Sequence, residues 1–165
     1  LAFGGKRGLL EGVIELAIVG EGDPPTEENV WWSEVARLPT ARERLEKMTE
    51  FSCRVLARTE PIHRIIRGAA DKEAFAAELG SRLLHDRVTN QTERVRRFLA
   101  DDLREGLSVV DAGERYCALT SPELYHLLTV ELAWTAEQHH DWLTQLLQTD
   151  LLGPEPDRRR RATTR

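Results

Sequence analysis

The sequence has almost no strand signals. No Asn-Gly or Asp-Gly turn joins two runs of alternating apolar and polar residues, which argues against a sheet built from hairpins. No run approaches the roughly 18 apolar residues of a membrane span, and Leu1-Ala2-Phe3-Gly4 lacks the basic-then-apolar pattern of a secretory signal, so a cytoplasmic protein is expected. Cysteine is scarce. Cys53 and Cys117 stand far apart without CxxC or Cys/His spacing, which indicates neither a zinc site nor a disulfide framework; both read as core thiols. Chain order offers no Ser/His/Asp or Cys/His set, and an all-helical metalloenzyme is not expected. The expectation is therefore a non-enzyme with no metal and no cofactor.

What is present is the profile of one folded domain: 165 residues, 41% hydrophobic and 31% charged. The formal charge of -5 is unevenly placed, because Arg158 to Arg161 and Arg165 supply five positive charges and leave -10 on residues 1–157. A body of that sign repels nucleic-acid phosphates.

Apolar residues recur at helical spacing from end to end, which predicts an all-α multi-helix bundle. A first helix from Lys6 is expected to bury Leu9, Leu10, Val13, Ile14 and Ala17 before the stop at Gly20 to Pro25. Thr26 is placed to cap a short helix carrying Val30, Trp31, Val35 and Leu38, which Pro39 ends. Thr40 and Glu43 have capping-box spacing and open a helix with Leu45, Met48, Phe51, Val55 and Leu56 on one stripe. A break is expected at Thr59-Glu60-Pro61, followed by a short helix with Ile62, Ile65 and Ile66, and a new start at Asp71. From Lys72 to about Asp102 the pattern allows one long helix, weakened at Gly80 and Thr89-Asn90. Ser108, Ser121-Pro122 and Thr135 with Gln138 are three further helix starts, and Gly153-Pro154 closes the last helix. Residues 154–165 read as a disordered basic tail.

Two motifs carry a resemblance. Phe3-Gly4-Gly5-Lys6-Arg7-Gly8-Leu9-Leu10 resembles the end of the helix-turn-helix head of TetR-family transcription regulators, and Leu119-Thr120-Ser121-Pro122-Glu123-Leu124-Tyr125 through Trp134-Thr135, Glu137 and Trp142-Leu143 resembles the C-terminal helices of that family. Ala133 departs from the pattern, in which glycine often precedes the tryptophan, and so does Leu1-Ala2. The resemblance implies a TetR-like regulatory body: residues 1–5 as the remnant of the DNA-binding head, residues 6–153 as the effector-binding and dimerising domain. It implies a ligand-responsive regulator, most simply a repressor. Most of the head would precede Leu1, leaving Lys6 as a DNA phosphate contact in the intact protein and operator DNA out of reach of this acidic portion alone.

The same resemblance places a pocket for a small apolar effector among the middle helices. Its candidate lining is Trp31, Phe51, Val55, Ile62, Ile66, Phe75 and Leu79, with His63 and Arg82 as polar contacts; each of these also reads as plain core. Trp31 and Trp32 occupy neighbouring helix faces, so one is expected in the core and the other free to cover a pocket. It further implies a homodimer through the last two helices, with Leu124, Leu128, Trp142, Leu143, Leu146 and Leu147 as interface candidates. Independently of the resemblance, the apolar residues of the last helix exceed one face, and the surplus calls for a partner. The competing reading is a stand-alone helical dimer that binds a small molecule or a protein partner without DNA. Gly4-Gly5-Lys6 lacks the spacing and the Ser or Thr of a phosphate-binding loop. His139-His140, with Glu137 and Asp141, reads as polar helix surface, and His63, His85 and His126 as isolated.

Overall fold

The computed structural model describes residues 5–19 and 30–153. Among them the elements are helical: α1 (Lys6–Val19), α2 (Val30–Arg37), α3 (Ala41–Ala70), α4 (Ala74–Leu99) with a 3-10 turn at Ala100–Asp102, α5 (Val109–Leu119), α6 (Pro122–His126) with a π turn at Leu127–Glu131, and α7 (Ala136–Leu151). The chain is an all-α bundle, as its periodicity predicts. The expected cap at Thr26 and the basic tail lie outside the described residues. Among the described residues no helix is long and apolar enough to cross a membrane.

The helix starts are set by local chemistry. Thr40 Oγ1 accepts from the Glu43 N–H at 3.2 Å while Glu43 Oε2 accepts from the Thr40 N–H at 3.1 Å. Thr135 and Gln138 repeat the exchange at 3.1 and 2.9 Å, and Ser108 and Ser121 accept from Asp111 N–H and Leu124 N–H. Each bond satisfies an amide that the helix itself leaves unpaired, worth about 1 kcal/mol per cap.

The expected break before Pro61 is absent, because α3 runs unbroken through it. Proline removes one intrahelical bond and costs about 3 kcal/mol in a helix interior. Here the face opposite the exposed Pro61 holds the helix on both sides of it: Leu56, Thr59, Glu60 and Ile66 are all buried, against α1, α4 and α6. Asp71 correspondingly caps the end of α3 rather than starting α4. α4 likewise continues through Gly80 and Thr89-Asn90.

A second correction concerns α1. Ile14 is buried and Leu10 and Ala17 are half-buried, whereas Leu9, Val13 and Leu16 are exposed. Both sets are spaced for one helical face, so periodicity does not choose between them. Ionic contacts from Arg7 to Glu78 and from Arg82 to Glu11, with Arg58 donating to the Ala17 carbonyl at 2.9 Å, orient the helix on α3 and α4.

The core joins α2, α3, α4, α5 and α7 through Trp32, Val35, Leu45, Met48, Phe51, Val95, Phe98, Tyr116, Leu143, Leu147 and Leu151. Arg44 ties its lower end: its guanidinium donates to the Phe98 and Leu38 carbonyls and to Asp102 Oδ2, at 2.8, 3.1 and 2.6 Å. Two of those acceptors sit at helix C-termini, where carbonyls are otherwise left without a partner.

α6 ends in a widened turn. Leu132 N donates to the Leu127 carbonyl and Trp134 N to the Leu128 carbonyl, both at 2.9 Å, and Ala133 between them has φ 55°. That left-handed conformation costs an L-residue with a Cβ about 1–2 kcal/mol and costs glycine little. Ala133 is exposed, so no packing is lost on trimming it. Ala133→Gly is expected to raise stability by about 1 kcal/mol, the gain being trimmed by the greater freedom of glycine in the unfolded chain. A urea melt with unchanged m-value checks this, and a midpoint below that of the parent contradicts it.

Candidate functional site

A cavity of about 250 Å³ lies between the middle turns of α3 and α4. α3 lines it with Phe51, Ser52, Val55, Leu56, Thr59 and His63; α4 with Leu83, Asp86, Arg87, Asn90, Gln91 and Arg94; Thr120 and Pro122 close it where α5 passes into α6. Of the expected lining, Phe51, Val55 and His63 are in place.

The other six expected lining residues are not. Ile66 and Leu79 are buried core, Ile66 lying across from Gly80. Ile62 and Phe75 are half-buried without facing the cavity. Arg82 is exposed and pairs with Glu11 on α1. Trp31 packs on Phe51 at 5.8 Å between ring centroids, with Lys47 Nζ 3.8 Å above its ring, so of the tryptophan pair Trp32 enters the core and Trp31 covers Phe51 rather than the cavity. These choices depend on which way each helix is turned, and a stripe several residues wide leaves that open.

The cavity is also more polar than expected: nine of its fourteen lining residues carry polar groups. Several are already engaged. Ser52 Oγ and the hydroxyl of the fully buried Tyr116 lie 2.9 Å apart, and burial pushes that phenol up to about 12. Thr59 and Thr120 donate back to the Val55 and Tyr116 carbonyls at 2.9 and 2.7 Å, leaving their oxygens as acceptors. His63 is held near 4 by burial and by the adjacent positive charge of Arg87, so its imidazole is neutral at neutral pH. Arg87 Nε points to Cys117 Sγ at 3.3 Å.

Arg94 is the most constrained group. It donates to Gln91 Oε1 at 3.2 Å, and its guanidinium carbon stands 4.5 Å from the Trp32 ring centroid and 5.6 Å from that of Phe51. Burial lowers its pKa from the ordinary value, yet an arginine stays charged at any physiological pH. No motif marks Gln91 or Arg94, although Gln91 lies at helical spacing between Val88 and Val95 and so shares their face.

His139 is buried rather than on a polar surface, its ring edge-on to Tyr125 with centroids 5.0 Å apart and Nδ1 3.5 Å from Cys53 Sγ. Burial pushes the Cys53 thiol up to about 12, which makes it a poor nucleophile. His126 is not isolated: its Nδ1 lies 2.9 Å from the buried carboxylate of Glu60 and its Nε2 3.2 Å from Glu131, linking α6 to α3. Lys6 begins α1, after Gly5 at φ 101°, but its side chain lies outside the described residues.

Among the interface candidates, Leu143 and Leu147 are fully enclosed within the bundle and Leu128 is nearly so. α7 packs into the centre of the bundle, which absorbs most of its apparent apolar surplus. Leu124, Trp142 and Leu146 remain half-buried, with Trp142 edge-on to Trp134 at 5.6 Å. Around them Leu127, Val130 and Leu132 are about half exposed.

Compared with known protein families, with curated proteins and with solved structures, the chain matches none.

Proposed function

We propose that this chain is the effector-binding and homodimerising part of a ligand-responsive transcription regulator of the TetR type, most simply a repressor. The observation that carries this reading is the cavity between α3 and α4: the bundle keeps about 250 Å³ unfilled there and turns two arginines and several neutral polar groups toward it. Cores close to crystal-like density unless something is gained by leaving space. Phe51, Val55 and His63 come to line it from the positions that the family resemblance suggested.

The dimer half of the reading rests on the last elements. Leu127, Val130 and Leu132 in the π turn and after it, with Trp142 and Leu146 on α7, put apolar surface on the same two-helix unit, where a protomer gains by covering it with a copy of itself. Operator contact belongs, on this reading, to a helix-turn-helix ahead of Leu1, with Lys6 against a phosphate. A gel-shift assay with the product of the complete reading frame and DNA flanking its own gene tests it. The expected result is a discrete complex from a dimeric protein. A monomeric product, or one that leaves this DNA unshifted, favours the stand-alone binding protein instead.

A further inference from the structure

We infer that the cavity takes a small organic monocarboxylate, its anionic end held by Arg94 and its apolar body between α3 and α4. The inference rests on the reading of this cavity as an effector site. Arg94 is the central observation. Among the described residues no carboxylate lies within ion-pair distance of it, and its neutralising contacts are one neutral amide oxygen and two aromatic faces. A partly buried guanidinium without a counter-charge is costly, and stacking on aromatic rings leaves N–H groups able to form a two-pronged carboxylate contact.

Its surroundings set the sign and size of the ligand. Gln91 uses its oxygen to accept from Arg94, which leaves the amide N–H groups as donors, and Gln91 is itself buried. Arg87 adds a second positive charge, also with no carboxylate in ion-pair distance among the described residues; its Nε is directed to a thiol. The single carboxylate in the lining, Asp86, is exposed. His63 contributes no charge. Within the lining two guanidiniums face one exposed carboxylate, and Glu123, which acts on Arg87 and His63 from beside it, takes up part of the surplus, so a monoanion suits the site and a dianion exceeds it. Phe51, Val55, Leu56 and Leu83 supply apolar wall. An apolar cavity of about 150 Å³ holds benzene, so about 250 Å³ holds a body of about ten non-hydrogen atoms.

Benzoate has that size and charge, and benzamide has the same shape without the charge. Isothermal titration of the chain with each, at constant ionic strength, tests the inference on the parent protein alone. Benzoate is expected to bind about tenfold or more tightly than benzamide, since a charge-assisted contact exceeds a neutral one by about that factor. Arg94→Met keeps an apolar side chain in place but loses the guanidinium that lies over Trp32, and is expected to weaken benzoate about ten- to hundredfold while changing benzamide little. Arg94→Lys, which keeps the charge and loses the fork, should fall between them. Benzamide binding as well as benzoate, or no benzoate binding at millimolar concentration, overturns the carboxylate assignment. So does an Arg94→Met protein that is folded by circular dichroism and binds benzoate undiminished. If benzamide binds and benzoate does not, the effector-site reading stands while the anion assignment falls; if benzoate binds but the full-length product ignores DNA, the reverse holds.

Discussion

Gly113→Ala is expected to cost about 3 kcal/mol, although glycine to alanine inside a helix ordinarily gains about 1 kcal/mol. The reversal follows from how closely α5 approaches α4. A Cβ on Gly113 would lie 2.6 Å from the Thr92 Cα and 2.3 Å from its Oγ1, and the first of these is backbone that no rotamer change can move. Gly113 is buried in the middle of α5, beside Ala112 and one turn before Tyr116 and Cys117, all of them buried. To admit the methyl group α4 must slide away, and the following turns of α4 carry Val95, Phe98 and Leu99 into the core. Equilibrium urea denaturation of the variant measures the loss. Thr92→Ala in the same background removes the clash with the hydroxyl but leaves the clash with the backbone, so it should restore only part of the stability. A variant as stable as the parent would show that α4 and α5 do not approach this closely.

The same substitution reaches the cavity. Thr92 is flanked on α4 by Gln91 and lies two residues before Arg94, both of which face the cavity. A shift of α4 against α5 changes their separation from Thr120 and Pro122 on the opposite wall. The close approach at Gly113 thus helps to position the polar groups that face the cavity between α3 and α4.

How far the sequence foretold this arrangement depended on the range of the interaction. Thr40, Ser108, Ser121 and Thr135 are legible because the hydroxyl and the amide it caps are three residues apart or fewer, and no distant element is consulted. Pro61 was misleading for the opposite reason: the local cost of a proline is outweighed by burial of Thr59, Glu60 and Ile66 against three other helices. Leu143, Leu147 and Leu151 read as surplus apolar surface only while the bundle they fill is unknown. The cavity was half legible. Its apolar side on α3 falls on a stripe that periodicity finds, whereas Gln91 and Arg94 are polar residues of α4 that no motif marks, and Arg94 is held against Trp32 and Phe51 by a packing that the sequence does not show.

Trp32→Ala is expected to cost about 4 kcal/mol, the upper part of the range for emptying a large aromatic site in a core. Its indole is edge-on to Phe51 at 5.0 Å and stacked on Phe98 at 5.6 Å with an interplanar angle of 18°, so two aromatic contacts are lost along with the buried area. α2 has eight residues, too few to persist as a free helix, since isolated helices below about 12 residues are marginal in water. It is held by Trp32 and Val35, and without the indole it is expected to undock and leave Phe51 and Phe98 uncovered. Hydrogen exchange then separates undocking from global loss: α2 amides should exchange at nearly free-peptide rates while those of α5 and α7 stay protected. Trp31→Ala provides the contrast, because that ring is half-buried and its removal should cost roughly 1–2 kcal/mol. Trp32→Phe should recover about half of the loss by restoring the stack on Phe98. The effect on the cavity is separable from that on stability, since Arg94 rests on the face of this ring. With the ring gone the guanidinium is free to turn toward water, and benzoate affinity is expected to fall even under conditions in which the variant is fully folded. Protected α2 amides and an unchanged urea midpoint would show instead that Val35 and Trp31 suffice to anchor α2.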